Sequence, residues 1–187
     1  MKKAVLLAFL AVAAFAERSG PYAGIGYGLT SYDDGSYLAQ SGYSQNLDDS
    51  SAGFRIYGGA YMNQYFSVEI DYTDFGDFTA RDGGGNHLAE AFTALGVATL
   101  LHYPAYNDRI EWFAKIGVAD MSWEESGAVA RSNNAGAFFY GAGIGYRFLR
   151  DWMFKAGYER YSFDMRDVSG HYDWNLGNAY VALEVQF

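Results

Sequence analysis

Period-two alternation of apolar and polar side chains recurs eight times along this chain, and the segments are joined by alternately short and long connections. Together these predict an all-β fold, an eight-stranded antiparallel up-and-down transmembrane β-barrel. Composition agrees: of 187 residues, 23 are Gly, 17 Tyr and 14 Phe, a mixture poorly suited to helices. The absence of cysteine excludes a disulfide scaffold, a thiolate metal site and a cysteine nucleophile. A formal charge of −9 argues against a nucleic-acid partner, whose phosphates call for surplus Lys and Arg.

The chain opens with Lys2-Lys3, an apolar run from Ala4 to Phe15 and the small-x-small sequence Ala14-Phe15-Ala16. This is the layout of a cleaved secretory signal peptide over residues 1–16. The run is shorter than the roughly 20 apolar residues of a membrane-spanning helix, and Glu17-Arg18-Ser19-Gly20 ends it. Residues 17–187 are then expected to form one barrel domain.

In the first strand Ala23, Ile25, Tyr27 and Leu29 alternate with Tyr22, Gly24, Gly26 and Gly28. The second sets Phe54, Ile56, Gly58, Ala60 and Met62 against Gly53, Arg55, Tyr57, Gly59 and Tyr61. The third sets Phe66, Val68, Ile70 and Tyr72 against Ser67, Glu69, Asp71 and Thr73. The fourth, near residues 91–103, is apolar on both faces, with Thr93, Leu95, Val97, Thr99 and Leu101 assigned outward. In the fifth, Trp112, Ala114, Ile116 and Val118 oppose Glu111, Phe113, Lys115 and Gly117. The sixth opposes Phe138, Tyr140, Ala142, Ile144, Tyr146 and Phe148 to Phe139, Gly141, Gly143, Gly145 and Arg147. The seventh opposes Trp152, Phe154, Ala156 and Tyr158 to Met153, Lys155, Gly157, Glu159 and Tyr161. The eighth opposes Ala179, Val181, Leu183, Val185 and Phe187 to Asn178, Tyr180, Ala182, Glu184 and Gln186. Such two-faced segments are strands with one wall buried and one in a different solvent.

Gaps after the second, fourth and sixth segments are short; those near residues 32–51, 74–87, 124–135 and 162–175 are long. Short turns at one rim and long loops at the other fit a barrel in a bacterial outer membrane, with both termini on the periplasmic side. A soluble, lipocalin-like ligand-binding barrel would also alternate, with its apolar wall inward. Against it, the polar wall here is mostly Gly with isolated charges. The apolar wall also carries rings towards both ends: Phe66, Tyr103, Trp112, Phe148, Trp152 and Phe187 at the turn end, and Tyr27, Phe54, Tyr72, Phe138 and Tyr158 at the loop end. Two aromatic girdles belong at two membrane interfaces.

Nine charges fall on the inward wall: Arg55, Lys115, Arg147 and Lys155 against Glu69, Asp71, Glu111, Glu159 and Glu184. Eight strands enclose a space that side chains just fill, and large inward residues would clash, which explains the inward glycines. Buried charges persist only when paired, so a cross-linked polar plug is expected. A three-residue turn at 63–65 would place Gly59 opposite Glu69, Tyr57 opposite Asp71, and Arg55 diagonal to Asp71.

The stretches Gly53-Phe54-Arg55-Ile56-Tyr57-Gly58-Gly59 and Asn63-Gln64-Tyr65-Phe66-Ser67-Val68-Glu69-Ile70-Asp71-Tyr72 resemble the second hairpin of small OmpA-like outer-membrane barrels. Tyr103-Pro104, Asn107-Asp108-Arg109 and Ala114-Lys115-Ile116-Gly117 resemble their middle turn and fifth strand, and Gly145-Tyr146-Arg147-Phe148 also fits. The resemblance implies an outer-membrane location, a lipid and lipopolysaccharide environment and a monomer. It also implies that Leu183, Val185 and the terminal Phe187 form the signal read by the barrel-assembly machinery. The sequence departs from the family in two ways. No peptidoglycan-binding domain is expected to follow the barrel, and Leu100 stands where OmpA proteins carry an inward lysine.

Enzymes built on such barrels need a nucleophile and a base in hydrogen-bond reach. His87 and His171 fall in loops outside any His-x-Ser arrangement, and His102 is read as a structural residue that approaches Glu111. No catalytic residue, metal site or cofactor is assigned. Acidic residues Asp33, Asp34, Asp48, Asp49, Glu124, Glu125, Asp164, Asp167 and Asp173 read as solvated loop charges, with divalent bridging to lipopolysaccharide phosphates as the alternative. Tyr32, Tyr37, Tyr43, Phe75, Phe78, Tyr172 and Trp174 read as loop aromatics that pack together or meet a surface ligand. The leading expectation is a non-catalytic envelope protein with a plugged interior; a small porin-like channel and the soluble barrel are the alternatives.

Overall fold

The computed structural model describes residues 19–33, 50–81, 87–106, 109–126, 131–167 and 170–187. The expected signal peptide lies outside the described residues. Eight strands follow in order: β1 (Gly20–Asp33), β2 (Ser50–Asn63), β3 (Phe66–Arg81), β4 (His87–Ala105), β5 (Ile110–Ser126), β6 (Arg131–Arg147), β7 (Trp152–Asp167) and β8 (Gly170–Gln186). Each pairs antiparallel with its sequence neighbours, and β8 closes on β1. Closure leaves no strand edge, which is the condition for a sheet to survive in hydrocarbon.

Alternation decides which wall each residue joins, and every strand keeps the assigned faces. On β1 Ile25, Tyr27 and Leu29 are exposed while Tyr22, Gly24 and Gly28 are buried. On β4, apolar on both faces, Leu95, Val97 and Leu101 point outward and Ala94, Ala98 and Leu100 inward. Strand β4 packs its small inward residues beside bulky partners: a Cβ added at inward Gly96 would overlap the Asp71 carboxylate and crowd the Phe139 ring. The outside is therefore greasy and the inside charged, the reverse of a lipocalin-like barrel.

The turn between β2 and β3 is one residue shorter than expected. Asn63 pairs with Phe66 across a two-residue turn, steadied by the Tyr65 N–H donating to Asn63 Oδ1 at 2.8 Å. A bulge between Tyr61 and Asn63 absorbs the difference, so Tyr57 still faces Asp71 and Gly59 faces Glu69. A second bulge lies between Asp74 and Asp77. Gly76 there takes φ +78°, a left-handed conformation open to glycine, and its N–H donates to Asp74 Oδ1 at 2.8 Å. The bulge turns Asp77 outward while Phe75 points in.

Three of the four expected long loops are largely strand. The β4–β5 ladder runs unbroken from Ala89–Ser126 to Ala105–Ile110, and β7–β8 pairing reaches Asp167–Gly170. About 9–11 tilted residues cross a bilayer, whereas β4 has 19 and β5 17. The surplus continues the hairpins past the greasy belt at the loop end. The fourth expected long loop, between β1 and β2, falls on residues 34–49, which lie outside the described residues.

Candidate functional site

The barrel interior is the chemically loaded part of the molecule, and it is stacked in layers set by the inward positions of each strand. In the middle sits an ionic knot. The Arg55 guanidinium on β2 donates to Glu159 on β7 at 2.7 Å and to Asp71 and Glu69 on β3 at 3.1 and 3.4 Å. The Lys115 ammonium on β5 meets the same three carboxylates, Glu69 at 2.9 Å, Glu159 at 3.2 Å, and Asp71. Two cations thus share three anions, and each of the five side chains is at most 3% exposed. Shared partners offset much of the desolvation cost that a low-dielectric interior imposes, while Arg55 Nε and Asp71 Oδ1 have no hydrogen-bond partner among the described residues.

Towards the turn end, Lys155 pairs with Glu184 at 2.5 Å, and the Tyr61 hydroxyl donates to Glu184 at 3.0 Å. The rings of Tyr22, Tyr57 and Phe113 surround the Lys155 ammonium at 5.2–5.8 Å. Large inward side chains were expected to be excluded; they are instead the filling. The glycines sit where the rings need room: a Cβ at Gly24 would strike the Tyr57 ring, at Gly59 the Tyr22 ring, and at Gly143 the Phe113 ring.

At the same end His102 bridges two partners. Its Nδ1 lies 2.7 Å from Glu111 Oε1 and its Nε2 2.8 Å from Ser67 Oγ. The Tyr22 hydroxyl lies 3.2 Å from Ser67 Oγ and donates to Glu69 at 3.0 Å. Sequence reading brought His102 near Glu111 but missed Ser67. Its partner is set by the β3–β4 register, in which Ser67 pairs with Leu100, two residues before His102.

Above the knot, Tyr161 stacks on Phe139 at 4.7 Å, meets Phe75 edge-on at 5.0 Å, and donates to Glu159 at 2.8 Å. A further layer of Phe92, Trp123, Phe163 and Trp174 closes the loop end, with Tyr32 edge-on to Trp174 at 4.8 Å. Tyr32, Phe75 and Trp174, read from sequence as loop aromatics, are thus lid residues. Strands that outrun the belt carry their inward rows up into the lumen. Tyr37 and Tyr43 lie outside the described residues, as do the side chains of Phe78 and Tyr172.

Eight of the nine inward charges occupy these clusters. The ninth, Arg147, does not. It is the last residue of β6, and its Nη1 donates to the Arg150 carbonyl at 3.0 Å and to Gln186 Oε1 at 3.4 Å at the turn rim. Alternation gave its face correctly but carries no information about its height. At that rim the Phe187 N–H donates to the Pro21 carbonyl at 3.0 Å, and Leu183 and Val185 lie on the outer wall with Phe187 74% exposed. Exposed girdle rings stand at both ends of the wall, Tyr103 and Trp112 at one, Tyr27 and Phe138 at the other. Of the acidic residues expected in loops, Asp33, Glu124, Asp164 and Asp173 are exposed at the loop end. Among the described residues no group of three or more potential metal ligands occurs.

A closed sheet with hydrocarbon-compatible rows outside and ion pairs inside defines an integral β-barrel membrane protein. The chain matches the outer membrane protein beta-barrel domain family over residues 4–187, and it belongs to that family, a family of the bacterial outer membrane. The fold is similar to that of Neisserial surface protein A, with 14% identity, a TM-score of 0.67, and coverage of 91% of this chain and 100% of that one. OprG of Pseudomonas aeruginosa is similar at 8% identity and a TM-score of 0.62, over 92% and 98% of the two chains. Ail, the attachment invasion locus protein of Yersinia pestis, is similar at 14% identity and a TM-score of 0.59, over 91% and 99%. No curated protein matches the chain.

Proposed function

We propose that the protein is a non-catalytic barrel of the outer membrane that supports envelope integrity or presents its loop end for surface interaction, with its lumen plugged. The observation that carries this reading is the stack of filled layers, in which Arg55, Glu69, Asp71, Lys115 and Glu159 lie beneath Phe92, Phe163 and Trp174, all at most 4% exposed. A solute path would need a continuous wet column, and eight strands leave no width beyond their side chains.

The reading includes export by residues 1–16, a turn rim facing the periplasm, and use of Leu183, Val185 and Phe187 as the assembly signal. It also includes a monomer in a lipid and lipopolysaccharide surround. Absence of catalysis is supported by a constellation among the described residues that resembles a hydrolytic triad: Ser67, beside His102 and Glu111, is 0% exposed and faces Tyr22. A nucleophile sealed in this way offers no space for an acyl substrate near its Oγ.

Planar-bilayer recording of the purified barrel tests the proposal. Rare, small openings are expected. A reproducible, long-lived open state at neutral pH would overturn the plug and favour the porin-like channel.

A further inference from the structure

The Glu111–His102–Ser67–Tyr22–Glu69 contacts form a single file of buried polar groups from the turn end to the ionic knot. Hydrogen positions follow from donor counting. Tyr22 has one O–H, and it goes to Glu69. Ser67 also has one. With a neutral imidazole carrying its proton on Nδ1 towards Glu111, Ser67 donates to Nε2, and the 3.2 Å contact between Ser67 and Tyr22 has no proton in it. With an imidazolium, both ring nitrogens donate. His102 then gives to Ser67, Ser67 to the Tyr22 oxygen, and Tyr22 to Glu69, and every contact in the file carries one proton pointing the same way.

We propose that this file is a proton relay by which the plug senses acidity on the turn side of the barrel, the side assigned above to the periplasm. A proton bound at His102 Nε2 moves to Ser67 Oγ as the Ser67 proton moves to the Tyr22 oxygen and the Tyr22 proton moves to Glu69 Oε2. The imidazole ends neutral, both hydroxyls end as hydroxyls, and one carboxylate becomes a carboxylic acid. Glu69 is the acceptor that Arg55 and Lys115 share with Asp71 and Glu159. Its protonation removes one of three anions from two cations and loosens the knot.

Side chains from several strands face His102 and bound the file. Glu111 of β5 holds Nδ1. The Tyr61 ring of β2 lies 5.0 Å from the imidazole, with its hydroxyl committed to Glu184 of β8, which is in turn paired with Lys155 of β7. Ser67 of β3 and Tyr22 of β1 continue the file, and β6 contributes inward glycines 143 and 145 at this height. Among the described residues the opposite end is filled by the Phe92, Trp123, Phe163 and Trp174 layer, so the relay is expected to take acid from the turn side only.

The inference rests on the plugged-barrel reading, and one experiment separates the two. Oriented wild-type barrels, Ser67→Ala, His102→Gln and Glu69→Gln are recorded in planar bilayers with either chamber acidified. Wild type is expected to open more often when the turn side is acidified, by up to about tenfold per pH unit, the slope of single-proton uptake, and to ignore acid on the loop side. Ser67→Ala and His102→Gln should stay closed under the same acid. Glu69→Gln, which imitates the delivered proton, should open more often at neutral pH without any acid response. A Glu69→Gln barrel as closed as wild type would overturn the relay, because neutralising Glu69 would then not loosen the knot, whereas a wild-type barrel that is stably open at neutral pH would overturn the plug reading itself. An acid response that survives Ser67→Ala, or that appears equally from both sides, would overturn the relay while leaving the plug intact. Unfolding of each variant in lipid vesicles, compared with wild type at neutral pH, identifies any loss of fold, and His102 ring nitrogen shifts in nuclear magnetic resonance then read the relay directly. In folded Ser67→Ala the Nε2 shift should change while Nδ1 keeps its Glu111 signature; an unchanged Nε2 would also overturn the relay.

Discussion

Arg55 on β2 and Glu159 on β7 meet at 2.7 Å across the lumen, although 104 residues of chain and two intervening strands separate them. An ion pair of this kind ties opposite walls of the barrel together, and Lys115 on β5 makes the tie three-cornered. Hydrogen bonds along the sheet join only neighbours; the knot couples strands that share no edge.

Loss of the guanidinium should therefore weaken the whole barrel. Arg55→Ala leaves three buried carboxylates to Lys115 alone and is expected to cost about 3–5 kcal/mol, the usual penalty for breaking a buried pair. Arg147→Ala, which loses only rim contacts, should cost less than about 1 kcal/mol. Urea unfolding in lipid vesicles compares the two; equal losses would remove the knot from the list of stabilising features.

The Lys155–Glu184 pair tests the same physics one layer down. Lys155→Met should destabilise by about 3–5 kcal/mol because Glu184 is left charged in a dry site. Adding Glu184→Gln keeps an acceptor for Tyr61 and removes the stranded charge, so the double variant should regain more than half of the loss. A double variant less stable than Lys155→Met would contradict the pairing.

Glycines under the rings are expected to be intolerant, and those in open space indifferent. Gly143→Ala pushes a methyl into the Phe113 ring and the Ala156 carbonyl, at a cost of about 1–3 kcal/mol. At Gly136 a Cβ meets nothing within 4 Å, and Gly136→Ala should stay within about 0.5 kcal/mol of wild type. Heat-modifiable gel migration ranks the two directly.

On the outer wall the cost of charge should depend on height. Val97, 54% exposed and flanked by Ile70 and Val118, lies in mid-belt, and Val97→Arg is expected to cost about 2–4 kcal/mol in vesicles. Asn134→Arg, on the exposed part of β6 beyond Phe138, should be close to neutral. Equal tolerance at both positions would mean that no hydrocarbon surrounds Val97.

The walls of this barrel were legible because a strand's side-chain period is two, so each residue's face follows from its parity. On β4, apolar on both sides, parity leaves two nearly equal choices, and the structure takes the assigned one, with Leu95, Val97 and Leu101 outward. What parity omits is height and cross-lumen distance. Arg147 has the parity of Lys115 and Glu159 yet ends at the rim, and the Ser67–His102 contact depends on how β3 and β4 are staggered. Tyr32, Phe75 and Trp174 were assigned to loops because a polar, glycine-rich segment reads the same in a loop as in a strand that has outgrown its membrane. The bulge at Gly76 compounds this, since it shifts the phase beyond Phe75.

Photolabelling with a carbene precursor dissolved in the acyl chains, read by mass spectrometry of the native sequence, tests the orientation most directly. Ile70, Val97, Phe154 and Leu183 are expected to carry the label, with Glu69, Lys155 and Glu159 unlabelled. Label concentrated on Glu69, Lys155 and Glu159, with Ile70 and Phe154 spared, would mean that the charged wall faces lipid and would contradict the plugged barrel at its root.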